Sequence, residues 1–299
     1  MKMSGVVFLF FILSCTDSSI KLEPYSSSLL ENKKYQDKSY DFTSEYQIVK
    51  WYKNQNDIEI KQFFYRNDGH LIKGYALLPK NIEDKKYPTI IHLRGGWGSY
   101  KKPGLFLFRW LSKFVERGYV VISSDLRGAN YAEKRFDEFG GDDFRDVKKL
   151  FSLAINFPFV DEKNIQTISW GSRGGVMSYL ALKSDINFKS SVIINGASDL
   201  FLLEKTRPYN FFQSIIKGVK EIAFKKRSGV YWAEQIKKPV LILHGENDRN
   251  TSVAHALVMA EKLKQAKKSY KLKVYKGSGH DLSGEDHVEQ SIMWFQSQK

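Results

Sequence analysis

Short apolar segments recur through the second half of the chain, separated by stretches with helical spacing. Six segments have the length and composition of buried strands, at 89–93, 119–123, 165–170, 191–195, 239–244 and 272–275. The spacing of apolar residues predicts helices at 105–117, 142–156, 174–183, 253–264 and 288–296. Apolar strands that alternate with helices form a mainly parallel sheet covered by helices on both faces. The sequence therefore predicts an α/β fold, in which reactive groups are expected at the carboxyl ends of the strands.

The region before Pro88 has a different pattern. Segments 46–52 and 58–65 alternate between apolar and polar residues, and Asn67-Asp68-Gly69 supplies a tight turn before 71–78. These segments predict antiparallel strands on the N-terminal side of the sheet. We expect one domain over residues 45–299.

The composition is that of a packed globular protein, with 42% hydrophobic and 14% aromatic residues among 299. The net charge of +14 invites a nucleic-acid or membrane partner, but the lysines are dispersed and no nucleic-acid-binding motif accompanies them. We therefore expect no nucleic-acid partner. The sequence makes no prediction of oligomeric state.

The first residues have the pattern of an export signal. An apolar run at 6–13 is too short to span a bilayer but suits the core of a signal peptide, predicted over 1–14. The only cysteine, Cys15, ends the run in a pattern that resembles a bacterial lipobox, although Leu13 stands where a small residue is usual. We expect a lipoprotein of a bacterial envelope, anchored through Cys15 and followed by a polar tether over 15–44. The alternative is an ordinary signal and a secreted or periplasmic protein.

A nucleophile is suggested where the segment 165–170 ends. Gly171-Ser172-Arg173-Gly174-Gly175 follows it and leads directly into a helical pattern. A serine on a sharp strand-to-helix turn needs small neighbours, because the turn is strained and the two elements approach closely. Trp170 departs from this pattern, since glycine usually stands two residues before the serine. Ser169 is the rival register, with Ser172 then a helix cap.

An acid and a histidine follow two later strands. Asp248 lies in Gly245-Glu246-Asn247-Asp248-Arg249 after the segment 239–244, with Glu246 as the alternative acid. His280 lies on a glycine-rich loop after 272–275. Serine, acid and histidine in this chain order are expected for the α/β-hydrolase fold. The histidine would accept the serine proton and the acid would orient the imidazole.

A tetrahedral oxyanion would need two backbone N–H donors. The first is expected from Arg173, the residue after the nucleophile, and the second from the loop 94–98, with Gly96 or Trp97 as candidates. No group of histidines and carboxylates shows the spacing of a metal site, so we expect neither a metal nor a cofactor.

The segment 200–232 lies between two predicted core strands and is rich in aromatic residues. We expect it to form a helical insertion that covers the site and shapes specificity. The alternative is that its aromatic residues serve ordinary packing, as in most cores. The residues concerned are Phe201, Tyr209, Phe211, Phe212 and Phe224.

Several motifs together resemble the catalytic domain of the prolyl oligopeptidase family of serine peptidases, from about residue 45 to the C-terminus. They are Asn67-Asp68-Gly69, Arg94-Gly95-Gly96, 118–121 with 125–128, 139–143, 171–175, 239–245 with Asp248, and 277–280. The resemblance implies that Ser172 is the nucleophile, Asp248 the acid and His280 the base. The chain departs from the family at Arg94, where a histidine is usual, and at Trp170. Many members carry a β-propeller before this domain, where this sequence shows the predicted tether and a few predicted strands, so the resemblance does not imply their peptide specificity.

Three functions remain open at this point. The first is a serine peptidase that acts on short peptides through an acyl-enzyme. The second is a carboxylesterase, for instance one that removes acyl groups from carbohydrates or small molecules, because the acyl-transfer chemistry is the same. The third, suggested by Trp170 and Arg94, is a non-catalytic binding protein on the same fold.

Overall fold

The computed structural model describes residues 40–46, 58–101, 103–129 and 134–298. The predicted signal peptide, Cys15 and most of the predicted tether lie outside the described residues. None of the helices in the described ranges is both long and apolar enough to cross a bilayer.

Nine strands form a single sheet in the spatial order β1-β2-β3-β5-β4-β6-β7-β8-β9. The pairs among β1, β2, β3 and β5 are antiparallel, and β4 to β9 pair in parallel, as the sequence pattern predicts. The strands are β1 (Tyr40–Tyr46), β2 (Ile58–Asn67), β3 (His70–Pro79), β4 (Tyr87–Leu93), β5 (Val120–Ser124), β6 (Val160–Trp170), β7 (Ser191–Ile194), β8 (Val240–Gly245) and β9 (Tyr270–Tyr275).

Seven α-helices accompany the sheet in the described ranges. They are α1 (Leu105–Val115), α2 (Phe144–Ala154), α3 (Gly171–Lys183), α4 (Leu200–Glu204), α5 (Lys220–Arg227), α6 (Ala254–Gln265) and α7 (His287–Ser297). All five helices predicted from spacing are present. The largest difference is at α3, which begins at Gly171 rather than residue 174, so that Ser172 lies in its first turn.

The core has two apolar layers, one on each face of the sheet. Neighbouring strand residues point to opposite layers, so that Ile90 packs with α1 and α7 while Ile91 packs with α2, α3 and α6. This is the physical reason that successive residues of the central strands are buried on both faces and that most of them are apolar.

The segment between β7 and β8 adds a third apolar cluster. It contains α4, α5 and short 3-10 turns, with Phe212 and Phe224 buried against Phe139 and Val176. Those two aromatic residues therefore serve packing, whereas Tyr209 is 92% exposed. The sheet itself begins at Tyr40, within the last residues of the region 15–44 that the sequence marks as a tether, and the predicted strand at 46–52 lies almost wholly outside the described residues.

Candidate active site

The carboxyl ends of β4, β6, β7 and β8 meet at one edge of the sheet. Leu93 at the end of β4 pairs with Ser169 near the end of β6, and Trp170 pairs with Ile194 at the end of β7. The loops that carry the predicted site residues therefore leave the sheet side by side, as expected for a parallel α/β sheet.

The turn from β6 into α3 depends on Gly171. Its φ of +83° lies in the left-handed region that costs other residues energy. A Cβ at this position would lie 3.7 Å from Nε2 of His280, so the turn places the backbone at 171 directly against the imidazole. A Cβ at Gly175 would come within 2.6 Å of the backbone at Ala197, which explains a glycine there.

Asp248 and His280 form a close pair. Nδ1 of His280 donates a 2.7 Å hydrogen bond to Oδ2 of Asp248, and the Asp248 side chain is fully buried. The imidazole remains one-third exposed, and its Nε2 faces the turn at Gly171. This is the arrangement in which a carboxylate orients a histidine and stabilises its protonated form.

The loop after β8 holds Asp248 in place. Its Oδ1 accepts hydrogen bonds from the backbone N–H groups of Asn250 and Thr251, at 2.8 and 2.9 Å. Behind it, burial lowers the pKa of His244, and the neutral ring bonds the carbonyl oxygen of Thr251 at 2.7 Å. Both oxygens of the carboxylate are therefore engaged, and its orientation is set before substrate arrives.

Ser172 is hydrogen-bonded to a residue other than the histidine in this structure. Its Oγ accepts a 3.0 Å hydrogen bond from Nη2 of Arg207, a residue of the insertion between β7 and β8. No hydrogen bond joins Ser172 to His280 in the part of the chain that the structure describes. Hydrogen bonds between catalytic groups are often long or misaligned without substrate, and tighten in its presence.

Trp170, which looks like a defect in the sequence pattern, supports the histidine. Its indole Nε1 donates a 2.9 Å hydrogen bond to the carbonyl oxygen of His280. The ring packs edge-on against Trp110 and His287, with centroids 5.0 and 5.1 Å away. A bulky residue therefore fits beside the turn because this aromatic cluster receives it.

Asn195 is a site residue that the sequence reasoning missed. Its side-chain amide donates a 2.7 Å hydrogen bond to the carbonyl oxygen of His280 and accepts one of 2.9 Å from the backbone N–H of Gly245. The residue is fully buried and has a φ of +50°, a conformation that asparagine tolerates better than most residues. An asparagine at the end of a core strand was the available signal, but only the fold reveals its two partners.

The glycine loop after β4 lies against the turn that carries Ser172. A Cβ on Gly95 would collide with the carbonyl oxygen of Trp170, and one on Gly96, whose φ is +72°, would collide with that of Tyr100. The backbone N–H groups in the first turn of α3 have no acceptor within the helix, and that of Arg173 is one of them. Both predicted sources of oxyanion donors, Arg173 and the loop with Gly96 and Trp97, thus lie at the same edge of the sheet.

Arg94 orders this loop. It donates to the carbonyl oxygens of Asp125, Gly98 and Tyr100 at 2.7 to 2.9 Å, and burial lowers its pKa to about 10. Arg94 therefore has a structural role in this protein: it holds the glycine loop through backbone hydrogen bonds.

A buried ion network lies beneath the first turn of α3. The guanidinium of Arg173 meets Asp143 at 2.8 Å and Asp137 at 3.2 Å, and all three side chains are fully buried. Asp137 also accepts a 2.9 Å hydrogen bond from the backbone N–H of Gly98, so the network joins α3 to the glycine loop.

The alternative site residues have other partners. Ser169 is fully buried and accepts a hydrogen bond from Ser178, and Glu246 is exposed and accepts one from the backbone of Gly277. No cluster of potential metal ligands is found among the described residues.

Comparison with known proteins agrees with this geometry. A family model described as "Prolyl oligopeptidase family" matches residues 106–298. The uncharacterized peptidase YtmA of Bacillus subtilis is 29% identical over 242 residues, which cover 78% of this chain and 91% of YtmA. The uncharacterized peptidase YuxL of the same organism is 27% identical over 243 residues, which cover 75% of this chain and 36% of YuxL. The chain thus spans nearly all of the first relative and about a third of the second.

Solved structures share the fold. A putative dipeptidyl aminopeptidase IV from Bacteroides ovatus matches with a TM-score of 0.72 and 21% identity, over 84% of this chain and 37% of that one. The acylaminoacyl peptidase of Pyrococcus horikoshii matches with a TM-score of 0.65 and 20% identity, over 83% of this chain and 42% of that one. These likenesses show the α/β-hydrolase fold. Since the family model covers most of the chain, the protein belongs to the prolyl oligopeptidase family and is a serine-type hydrolase of that family.

Proposed function

We propose that the protein is a serine peptidase that acts on short peptides, with Ser172 as nucleophile, His280 as general base and Asp248 as the orienting acid. The observation that carries the proposal is the 2.7 Å pair of Asp248 and His280, whose imidazole faces the turn that bears Ser172. The names of the similar bacterial peptidases support a peptide substrate.

The chemistry follows from this arrangement. Oγ of Ser172 attacks the substrate carbonyl carbon as Nε2 of His280 takes its proton, and Asp248 stabilises the imidazolium. The carbonyl oxygen becomes an oxyanion that the N–H of Arg173 and an N–H of Gly96 or Trp97 would stabilise. Nε2 then returns the proton to the leaving amine, and the acyl-enzyme forms. Water, activated by the same imidazole, releases the acid and restores the serine.

Before attack, the Ser172 hydroxyl must donate a hydrogen bond to Nε2 of His280, whereas in this structure its described partner is Arg207, from which Oγ accepts. The nucleophile is therefore the one member of the proposed triad that still has to be aligned. An amine leaving group needs the protonated imidazole that Asp248 is placed to support, and this applies to peptides more than to activated esters.

Labelling with a fluorophosphonate tests the triad. The wild type and Ser169→Ala should be labelled, and Ser172→Ala should not, because the probe reacts with an activated serine. A wild type that stays unlabelled while a control hydrolase reacts would show that this member is not catalytic. Turnover of acetyl or feruloyl esters without any cleavage of peptides or aminoacyl-arylamides would instead support a carboxylesterase.

We also propose that the protein is exported and anchored through Cys15, on the basis of the apolar run and lipobox-like pattern before it. Membrane partitioning of the full chain in a bacterial host should be lost in Cys15→Ala. Partitioning that persists in this variant would contradict lipid attachment.

A further inference from the structure

Arg207 brings a positive charge to the proposed nucleophile. Its Nη2 donates to Oγ of Ser172 at 3.0 Å, and its Nη1 donates to the carbonyl oxygen of Asn250 at 2.9 Å. Burial lowers the pKa of the guanidinium, although the group stays charged at neutral pH. A positively charged guanidinium therefore lies next to Oγ of Ser172, the atom that would attack the substrate.

The charge of Arg207 is not neutralised by a direct partner. Among the residues that the structure describes, it forms no ion pair. Asp248 acts on it through space, but both oxygens of that carboxylate are engaged by the histidine and the loop backbone. Two neutral oxygen atoms therefore serve as the only described acceptors for a partly desolvated cation.

Other enclosed arginines of this protein are arranged differently. Arg127, Arg173 and Arg227 each lie within 4 Å of at least one carboxylate oxygen. Arg94 forms no ion pair with the residues that the structure describes, but it donates hydrogen bonds to the backbone carbonyl oxygens of Asp125 and of the glycine loop. Arg207 is half-buried beside the nucleophile, and three of its five donors have no described acceptor.

We propose that Arg207 binds a carboxylate of the substrate immediately beside the bond to be cleaved. This inference rests on the proposed peptidase function and specifies its substrate class. A planar guanidinium matches a carboxylate with two parallel hydrogen bonds, a stronger interaction than the present bonds to a hydroxyl and a carbonyl. The positive net charge of the chain favours the approach of such substrates.

Binding of the carboxylate has a consequence for Ser172. The donors of Arg207 turn to the substrate, and Oγ of Ser172 no longer accepts a hydrogen bond from a cation, a bond that withdraws electron density from the nucleophile. The carboxylate of the substrate thereby frees Ser172 from its hydrogen bond with Arg207. Neutral substrates lack this effect and are cleaved more slowly.

The carboxylate can come from two places in a short peptide, and two matched substrate pairs separate them. Ala-Ala-Ala with a free C-terminus is compared with its C-terminal amide, which tests a carboxylate on the leaving side. N-acetyl-Glu p-nitroanilide is compared with its Gln counterpart, which tests an acidic side chain on the acyl side. The readout is the ratio of kcat/KM for acid and amide in the wild type, Arg207→Gln, Arg207→Lys and Lys205→Gln, where Lys205 is an exposed cation of the same segment.

We expect one of the two ratios to be at least about tenfold in the wild type, as for a hydrogen bond to a charged group. It should fall to near one in Arg207→Gln, be partly retained in Arg207→Lys and be unchanged in Lys205→Gln. Fluorophosphonate labelling of Arg207→Gln should persist, which shows that the variant is folded and its serine reactive.

Two results would overturn the inference while leaving the peptidase function intact. One is a wild type that cleaves acid and amide equally in both pairs, and the other is an acid preference that survives in Arg207→Gln. An unlabelled, inactive wild type would overturn the proposed function and this inference together.

Discussion

The indole Nε1 of Trp170 donates a 2.9 Å hydrogen bond to the backbone carbonyl oxygen of His280, across 110 positions of the sequence. The bond ties the last residue of β6 to the loop that carries the proposed general base. Since Ser172 follows Trp170 by two residues, the segment that bears the nucleophile also fixes the backbone of its partner.

Trp170→Phe should lower kcat several-fold with little change in KM. Phenylalanine keeps much of the packing against Trp110 and His287 but cannot donate the hydrogen bond, which is worth about 0.5–1.5 kcal/mol. The measurement is steady-state kinetics with the best peptide substrate.

Trp110→Phe is the matched control for that change. It removes the 3.2 Å bond from Trp110 Nε1 to His287 within the same aromatic cluster, but no bond to His280. Its kcat should stay close to that of the wild type. Equal losses of kcat in both variants would mean that the cluster matters only for packing.

Gly171→Ala should impair catalysis more than it impairs stability. A left-handed conformation costs alanine about 1–2 kcal/mol, and the new methyl group would lie 3.7 Å from His280 Nε2, where the serine hydroxyl must arrive. We expect kcat/KM to fall at least about tenfold, in line with an obstructed proton transfer. Urea denaturation and kinetics measure the two effects.

Gly118→Ala provides the comparison, because its φ of +86° is similar and a Cβ there would meet nothing within 4 Å. It should lose similar stability and retain full activity. A fully active Gly171→Ala would show that the hydroxyl does not need this space.

Asp143→Ala should destabilise the fold by about 3–5 kcal/mol, because it leaves the buried charge of Arg173 with one carboxylate instead of two. Asp142→Ala, one residue earlier, removes an exposed ion pair with Arg145 and should cost less than about 1 kcal/mol. Thermal or urea unfolding of the two variants tests the difference. Similar small losses would mean that Asp137 alone is sufficient to compensate Arg173.

Acid should destabilise the protein through His92. Burial lowers its pKa from the ordinary value of 6.5 to about 3, so between these values the unfolded chain holds a proton that the folded protein does not. The free energy of unfolding is unaffected by this group above about pH 6.5. Below that pH it decreases, by about 2–3 kcal/mol at pH 4.5, because protonation of His92 favours the unfolded chain. Urea denaturation at pH 7.5 and 4.5 should show a smaller acid loss in His92→Asn, by about that amount. An equal loss in both proteins would contradict the assignment.

The strand-and-helix pattern was sufficient to predict the sheet and the loops that carry Ser172, Asp248 and His280. Most of the core strands contain a short apolar segment followed by a glycine-containing loop, so local composition reports the fold directly. The start of α3 was missed because glycines at 171, 174 and 175 disfavour a helix locally. Close backbone contacts with the glycine loop and with Ala197, which no local pattern encodes, require them.

Trp170, Asn195 and Arg207 were not assigned roles from the sequence for a related reason. Each acts through a partner distant in the chain, at separations of 110, 85 and 35 positions. Trp170 was interpreted only as a departure from the motif. The motif specifies a small residue at this position and carries no information on the contacts that a larger residue makes there.

The two hydrogen bonds that the carbonyl oxygen of His280 accepts, from Trp170 and Asn195, have a kinetic consequence. With its backbone held on two sides and its ring held by Asp248, the general base is already positioned before substrate binds. Among the described groups of the site, one hydroxyl and one half-buried arginine side chain must reorient, which is a smaller change than the domain motions that take microseconds to milliseconds. Activation of this site is therefore expected to be fast compared with turnover, so that bond cleavage or product departure, and not a conformational step, limits the rate.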